Sequence, residues 1–425
     1  MRKVGVFGAI AIGVGGMVGG GIFAVLGEAV SLAHSATPYA FLVAGVVALL
    51  TSYSYAKLSV AYQSRGGTVT FIDQAFGHNL LSGSANLMLW LSYLVTISLY
   101  AVAFASYGST FFTDKTELIR HSLISVAIIL PAIINLVSAS FVSKSETVIV
   151  VIKVVLLVVI IISGASYVDS SRLTLPANFD PLSTVVAGMI IFVAYEGFEL
   201  IANAAEEIED PEKNLPRAFY GSVIFVILLY ILIAIISVGT VPEQELLAAK
   251  DYALAIAAKP ALGQVGFTIV AVAALLATFS AINATIYGNA RLGCIVAIKD
   301  ELPKLLTRER REIPFMGIII TVILSLILAN TIDLNAIAII GSASFLLIFF
   351  MVNLSAFKLR KEIGANTFIL FSSSLLTFLA LATLMYHTYS SNFKAIVVFL
   401  LFVLFSIVFE IFYGRMIRGK FCYRD

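Results

Sequence analysis

Charge is the scarcest ingredient of this 425-residue chain, with Asp, Glu, Lys and Arg together making up 12 % of it. A soluble protein carries about 25 %. Half that amount cannot cover a soluble surface of this size, so a soluble globular enzyme is excluded. The net charge of +2 offers no basic face and excludes a nucleic-acid partner. Cys294 and Cys422 are too few and too far apart for a disulfide framework or a thiolate metal cluster. The four histidines, His34, His78, His121 and His387, form no ligand pair at helical spacing. Soluble domains are missing too, since the longest polar stretch, 298–314, reads as a basic loop.

What the chain has instead is apolar residues, 60 % of the total. They fall in runs of about 18–25 residues, each able to cross a roughly 30 Å hydrocarbon core as a helix. The spans read as 5–32, 38–62, 80–111, 118–137, 141–168, 183–207, 217–240, 263–297, 315–332, 334–356, 366–388 and 393–413. Arg2 and Lys3 ahead of an apolar run imitate a signal peptide. The run's length, its glycines and the span that follows keep it in the mature protein. With the N-terminus inside, 20 of the 27 Lys and Arg residues lie on inner segments and six on outer ones, Lys153 being within a span. The positive-inside rule then puts both termini and both cysteines on the cytoplasmic side. The class is an all-α polytopic protein of the cell membrane, with lipid as its surroundings.

Two spans carry breaks. The first, GVFGAIAIGVGGMVGGGIFAVLG, holds Gly19, Gly20 and Gly21 in a row. The sixth, VVAGMIIFVAYEGFELIANAAEE, holds Tyr195, Glu196 and Gly197, with Glu199 just beyond. Three glycines cost a helix about 1 kcal/mol each relative to alanine. A mid-bilayer carboxylate costs roughly 2.5–3.5 kcal/mol. Both are tolerated where a helix opens onto a polar cavity. Each broken span begins a set of five, and because five is odd the second set must run upside down. Paired broken helices in inverted halves point to a substrate site at the midplane, where freed N–H groups attract an anion such as a carboxylate. Taken alone, the glycines read equally well as packing contacts, through the pairs Gly15/Gly19 and Gly16/Gly20. A dinucleotide loop is excluded because no strand precedes them.

The run Gly19-Gly20-Gly21-Ile22-Phe23 resembles the first-helix signature of the amino acid–polyamine–organocation (APC) superfamily. FVAYEGFELIANAAEEIEDPEKNLPRA (192–218) resembles that family's longest motif. YAKLSVAYQSRGGTVTFIDQAFG (55–77) and ATIYGNARLGCIVAIKDELPKLL (284–306) also fit it. Within the family the chain looks most like the prokaryotic proton-coupled, broad-specificity amino acid transporters of the ApcT type. The resemblance implies a LeuT-like fold of twelve transmembrane helices, two inverted five-helix repeats plus two extra helices. Residues 1–170 would form the first repeat, 180–360 the second, and 361–425 the last two helices with a cytoplasmic tail. Two positions depart from the pattern: Lys57 stands where many members carry glutamate, and Glu196 where many carry a neutral residue.

Three ionisable groups lie deep in predicted spans: Lys153, Glu196 and Glu199. Lys153 is too deep to snorkel to either interface. Loss of hydration disfavours its charge, which suits a group that gains and loses a proton during a cycle. In the resembling transporters this lysine takes the place of a sodium ion and meets the broken first helix and a hydroxyl on helix eight, here Gly19 and Ser280, with Thr278 nearby. No acid precedes Glu28 and none lies between Asp251 and Asp300, so spans one and eight offer no carboxylate to a cation. A permanently charged structural lysine is the other reading. Glu199 is either a second proton acceptor or a cap on freed N–H groups. Glu196 either faces substrate and favours a cationic side chain or pairs with a polar partner.

The expectation is a sodium-independent, proton-coupled secondary transporter that imports α-amino acids by alternating access, with no enzyme activity, no bound cofactor or metal and no obligate protein partner. The substrate carboxylate meets N–H groups at Gly19, Gly20 and Gly21, beside Ile22. Its ammonium meets carbonyls near Gly15, Gly16, Ala194, Tyr195 and Gly197, and the family pattern puts Phe192 over it. The alternative on the same fold is a sodium-independent amino acid or polyamine exchanger. An intramembrane enzyme would need a nucleophile–base or metal-ligand set at membrane depth, and none is present.

Overall fold

The computed structural model describes residues 3–114, 116–137, 139–175, 179–309 and 313–418, with the side chains of 139–147 and 418 left aside. Of the charged residues that set the topology, Arg2, Lys115, Arg310, Arg311, Lys420 and Arg424 lie outside that description, as does Cys422; the side chains of Lys144 and Arg418 do too.

The chain is nearly all helix. The first span is two helices, α1 (Val6–Met17) and α2 (Gly21–Ala33), followed by α3 (Thr37–Ala61) and the short α4 (Thr68–Phe76). Next come α5 (Leu80–Ser109), α6 (Glu117–Val137) and α7 (Ala139–Gly164). The sixth span starts as α8 (Pro181–Ile190), tightens into a 3-10 turn over Ile191–Tyr195 and ends in α9 (Leu200–Asn203). It is followed by α10 (Pro211–Thr240), the small α11 (Glu243–Ala249) and α12 (Ala253–Ala257), and α13 (Lys259–Ile298). The last four are α14 (Phe315–Thr331), α15 (Leu334–Lys358), α16 (Thr367–Ser391) and α17 (Phe393–Tyr413). Among the described residues ten helical runs are long and apolar enough to cross a membrane, and Val6–Met17 and Phe315–Thr331 are shorter apolar helices. The only pairing of strand type among them is an isolated bridge between Val4 and Ile208.

Polar side chains mark where the apolar helices begin. Asn79 caps α5 by accepting the Leu81 and Ser82 N–H groups at 2.9 and 3.2 Å. Asp180, Asp333, Asn366 and Asn392 do the same for α8, α15, α16 and α17. Each cap satisfies donors that a helix N-terminus leaves open. In α13 the backbone turns at Gly263 (φ 61°), so its regular part begins where the sequence predicts the span.

The core of the bundle is α5, enclosed almost throughout, together with the interrupted segment 181–203. A helix apolar on every face belongs inside. Around it α3 packs on α8 and α10, α10 packs on α1, and α5 packs on α13. Helices α6, α16 and α17 present rows of exposed Leu, Ile, Val and Phe outward, as lipid requires. The start of α1 and the end of α17 share one end of the bundle, called here the near end. Contacts of Val4 with Glu207 and Glu209, of Tyr62 with Glu362, and of Tyr413 with Leu302 tie it together. Lys57 sits there too, donating to the Gly364 carbonyl at 3.1 Å.

Candidate functional site

The two interrupted segments meet backbone to backbone. A Cβ on Gly16 would lie 2.6 Å from the Gly197 carbonyl oxygen, and one on Gly197 would lie 2.3 Å from the Gly16 carbonyl carbon. Gly197 also has φ +122°, a conformation L side chains rarely adopt. Only glycine permits this approach. Behind it, the Tyr230 hydroxyl on α10 lies 2.7 Å from the Met17 carbonyl oxygen and 3.3 Å from that of Ala194. Those carbonyls belong one to each break. Ser342 on α15 serves the second break further, donating to the Ile190 carbonyl at 2.6 Å and accepting from the Val193 N–H at 2.9 Å. The freed backbone groups therefore find partners from neighbouring helices, as membrane depth demands.

Beside the breaks lies a cavity enclosing about 730 Å³ of space between atoms, its open mouth included. Of the residues singled out from sequence, Gly15, Gly16, Lys153, Glu196, Gly197 and Ser280 line it. Lys153 is 2 % exposed, and its neighbour Val150 packs on Gly15. Gly19, Gly20, Gly21, Ile22, Ala194, Tyr195 and Phe192 are buried at the breaks without lining it. Tyr195 turns away, donating to the Phe41 carbonyl at 2.8 Å, and Phe192 packs edge-on against Phe349. Thr278 donates back to the Ala274 carbonyl of its own helix.

Glu199 accepts the Gly197 N–H at 2.7 Å and the Tyr93 hydroxyl at 3.0 Å, which is capping geometry. Glu196 Oε2 lies 3.4 Å from the Thr96 and Tyr100 hydroxyls. The Tyr100 ring in turn covers Gly20, where a Cβ would come within 2.2 Å of it. Tyr93, Thr96 and Tyr100 thus form a hydroxyl stripe on α5 beside the site, which the sequence analysis does not single out. Their spacing of i, i+3, i+7 along one face of α5 was the available signal.

The cavity extends to the near end, where Gly66, Thr68, Asn203 and Leu292 line it. The far end is sealed. There the carboxylate of Glu28 on α2, 3 % exposed, pairs with Lys250 Nζ at 2.8 Å and accepts from Asn335 Nδ2 at 2.8 Å. Burial opposes the charge of Lys250, but Glu28 outweighs it and holds the ammonium above its ordinary range. Among the described residues one His/Asp/Glu group gathers its donor atoms closely, Asp73, His78 and Glu301 at the near end. The ammonium of Lys299 already lies against the Asp73 carboxylate, and we assign no metal there.

A pocket between two interrupted helices, in a bundle that can cross a membrane many times, defines a membrane transporter rather than an enzyme. The chain belongs to the amino acid permease family, whose model matches residues 4–414. It is 33 % identical to an uncharacterized protein of Methanocaldococcus jannaschii over 99 % of this chain and 97 % of that one. It is 32 % identical to the inner membrane transport protein YbaT of Escherichia coli, over 93 % of each. It is 24 % identical to the methylthioribose transporter of Bacillus subtilis, over 85 % of this chain and 82 % of that one. The protein is a multi-pass transporter of amino acids in the cell membrane.

Proposed function

We propose that the protein imports α-amino acids by alternating access, without sodium and coupled to protons, with both termini cytoplasmic. Twelve spans in two inverted five-helix halves frame this reading, and the reciprocal packing of α3 on α8 and α10 on α1 supports them. The near end is then the cytoplasmic one. A cavity that reaches it, with Glu28 and Lys250 closed at the far end, is what an inward-facing state requires.

The observation that carries proton coupling is Lys153, a buried amine on the wall of the cavity that also holds Gly15 and Ser280. There it can answer a change of charge by repacking α1 against α13. Glu196, on the same wall, would favour substrates with a cationic side chain.

The test is uptake of radiolabelled amino acid into proteoliposomes with and without an inward proton gradient, for wild type and Lys153→Ala. Gradient-driven accumulation lost in the variant, with substrate exchange retained, is the expected result. A wild type that only exchanges and ignores the gradient would establish the exchanger instead.

A further inference from the structure

Each of three elements lining the near mouth of the cavity continues into one buried polar knot. Thr68 lines the mouth, and Asp73 follows on α4. Leu89 lines it, and Asn86 precedes it on α5. Leu292 lines it, and α13 runs on to Lys299 and Glu301. Asn86 Nδ2 donates to Asp73 Oδ1 at 3.1 Å and to Glu301 Oε2 at 2.8 Å, so one amide clasps two carboxylates. Lys299 lies on Asp73. Glu301 is fully buried, and among the described residues its Oε1 has no hydrogen-bond partner.

Among the described residues two carboxyl groups and one ammonium face Glu301. Asp73 comes from α4, Glu410 from α17 and Lys299 from its own loop. His78 stands at the open edge, its Nδ1 3.6 Å from Asp73 and 3.9 Å from Glu301. Asp300 and Lys304 pair with each other on the outside at 3.4 Å. Among the described residues, Asp73 and Glu301 thus share one lysine and a half-exposed histidine in a site nearly closed to water.

We propose that this knot is a cytoplasmic proton-binding site: with a proton on Glu301 it braces α4, α5 and the end of α13 around the inner mouth, and without it the brace loosens and transport slows. The inference rests on the transport reading above and on the near end being cytoplasmic. It concerns the pH of that compartment, apart from any gradient. Burial first, then the nearby Asp73, raises the Glu301 carboxyl to about 7, within the range of cytoplasmic change. A proton on the unpartnered oxygen also removes the like-charge contact without displacing Lys299.

The experiment has two arms on the purified full chain. Infrared spectra are titrated for a carboxylic acid band that ionises near pH 7 and disappears in Glu301→Gln. Amino acid exchange is measured in proteoliposomes at equal pH on both sides. Between pH 6 and pH 8 the neutral fraction of such a group falls about tenfold. Wild-type exchange should fall several-fold over that range, while Glu301→Gln keeps its acid rate throughout. Asp73→Asn, which removes the neighbouring charge and frees Lys299 for Glu301, should move the midpoint toward acid. A band that ionises below about pH 5, or a wild-type pH profile left unchanged by both variants, overturns the proposal. A wild type that exchanges no amino acid at any pH would instead sink the transport reading.

Discussion

The hydroxyl of Tyr230 sits 2.7 Å from the carbonyl oxygen of Met17, delivering a donor from an unbroken helix to the point where the first span opens. The same oxygen is within 3.3 Å of Ala194 in the other break. Its ring is held independently, edge-on to Phe41 at 5.7 Å and tilted on Tyr195 at 5.3 Å.

Tyr230→Phe should therefore keep the packing and lose only the bridge. A buried hydrogen bond contributes about 1 kcal/mol, so the KM for amino acid uptake should rise about fivefold with little change in thermal stability. Initial-rate uptake across substrate concentrations checks it; an unchanged KM would mean that the bridge plays no part in the site.

Gly197→Ala should abolish transport. The added methyl would enter the Gly16 backbone at 2.3 Å, and the positive φ adds strain of about 1–3 kcal/mol. Substrate-induced thermal stabilisation of the purified variant should vanish with uptake. Retention of either would show that the two segments can separate there without harm.

Lys250→Ala should unsettle the far-end seal. Lys250 is half exposed, so the pair contributes at most about 1 kcal/mol, and losing it shifts an open–closed balance about fivefold toward open. A cysteine placed at Ala24 should then react faster with an impermeant maleimide added at the far side. Equal labelling in the two backgrounds would place the seal elsewhere, for example at Asn335.

The near-end knot makes stability depend on pH. Glu301 is raised from 4.5 to about 7 in the folded protein, so the folded state holds its proton more tightly than the unfolded one. That contribution is full below about pH 4.5 and is lost as pH rises through about 7. The melting temperature in detergent should fall over this window, and Glu301→Gln should flatten the fall. A wild-type melting temperature that rises across the same window would contradict the assignment.

Much of this was legible in sequence because hydrocarbon imposes blunt rules. Apolar runs mark the spans, and the run Gly19, Gly20 and Gly21 with the cost of Glu196 at depth marks the two openings. Side-chain direction was not legible. Once a segment leaves helical geometry its periodicity no longer tells which way a residue points, which is why Tyr195 and Phe192 turn into the core. Tyr93, Thr96 and Tyr100 were readable as a stripe, but hydroxyls are common enough inside apolar helices to pass for packing. The knot at Glu301 joins residues from three distant stretches of chain, and no local pattern announces it.

The meeting of Gly16 and Gly197 involves main-chain atoms alone, with no side chain from either residue. Such a joint holds no information about what is carried. The side chains of Tyr100 on α5 and of Glu196, which line the cavity, stand around the joint without forming it. A change of cargo can thus be written on the cavity walls while the main-chain contact keeps its fit.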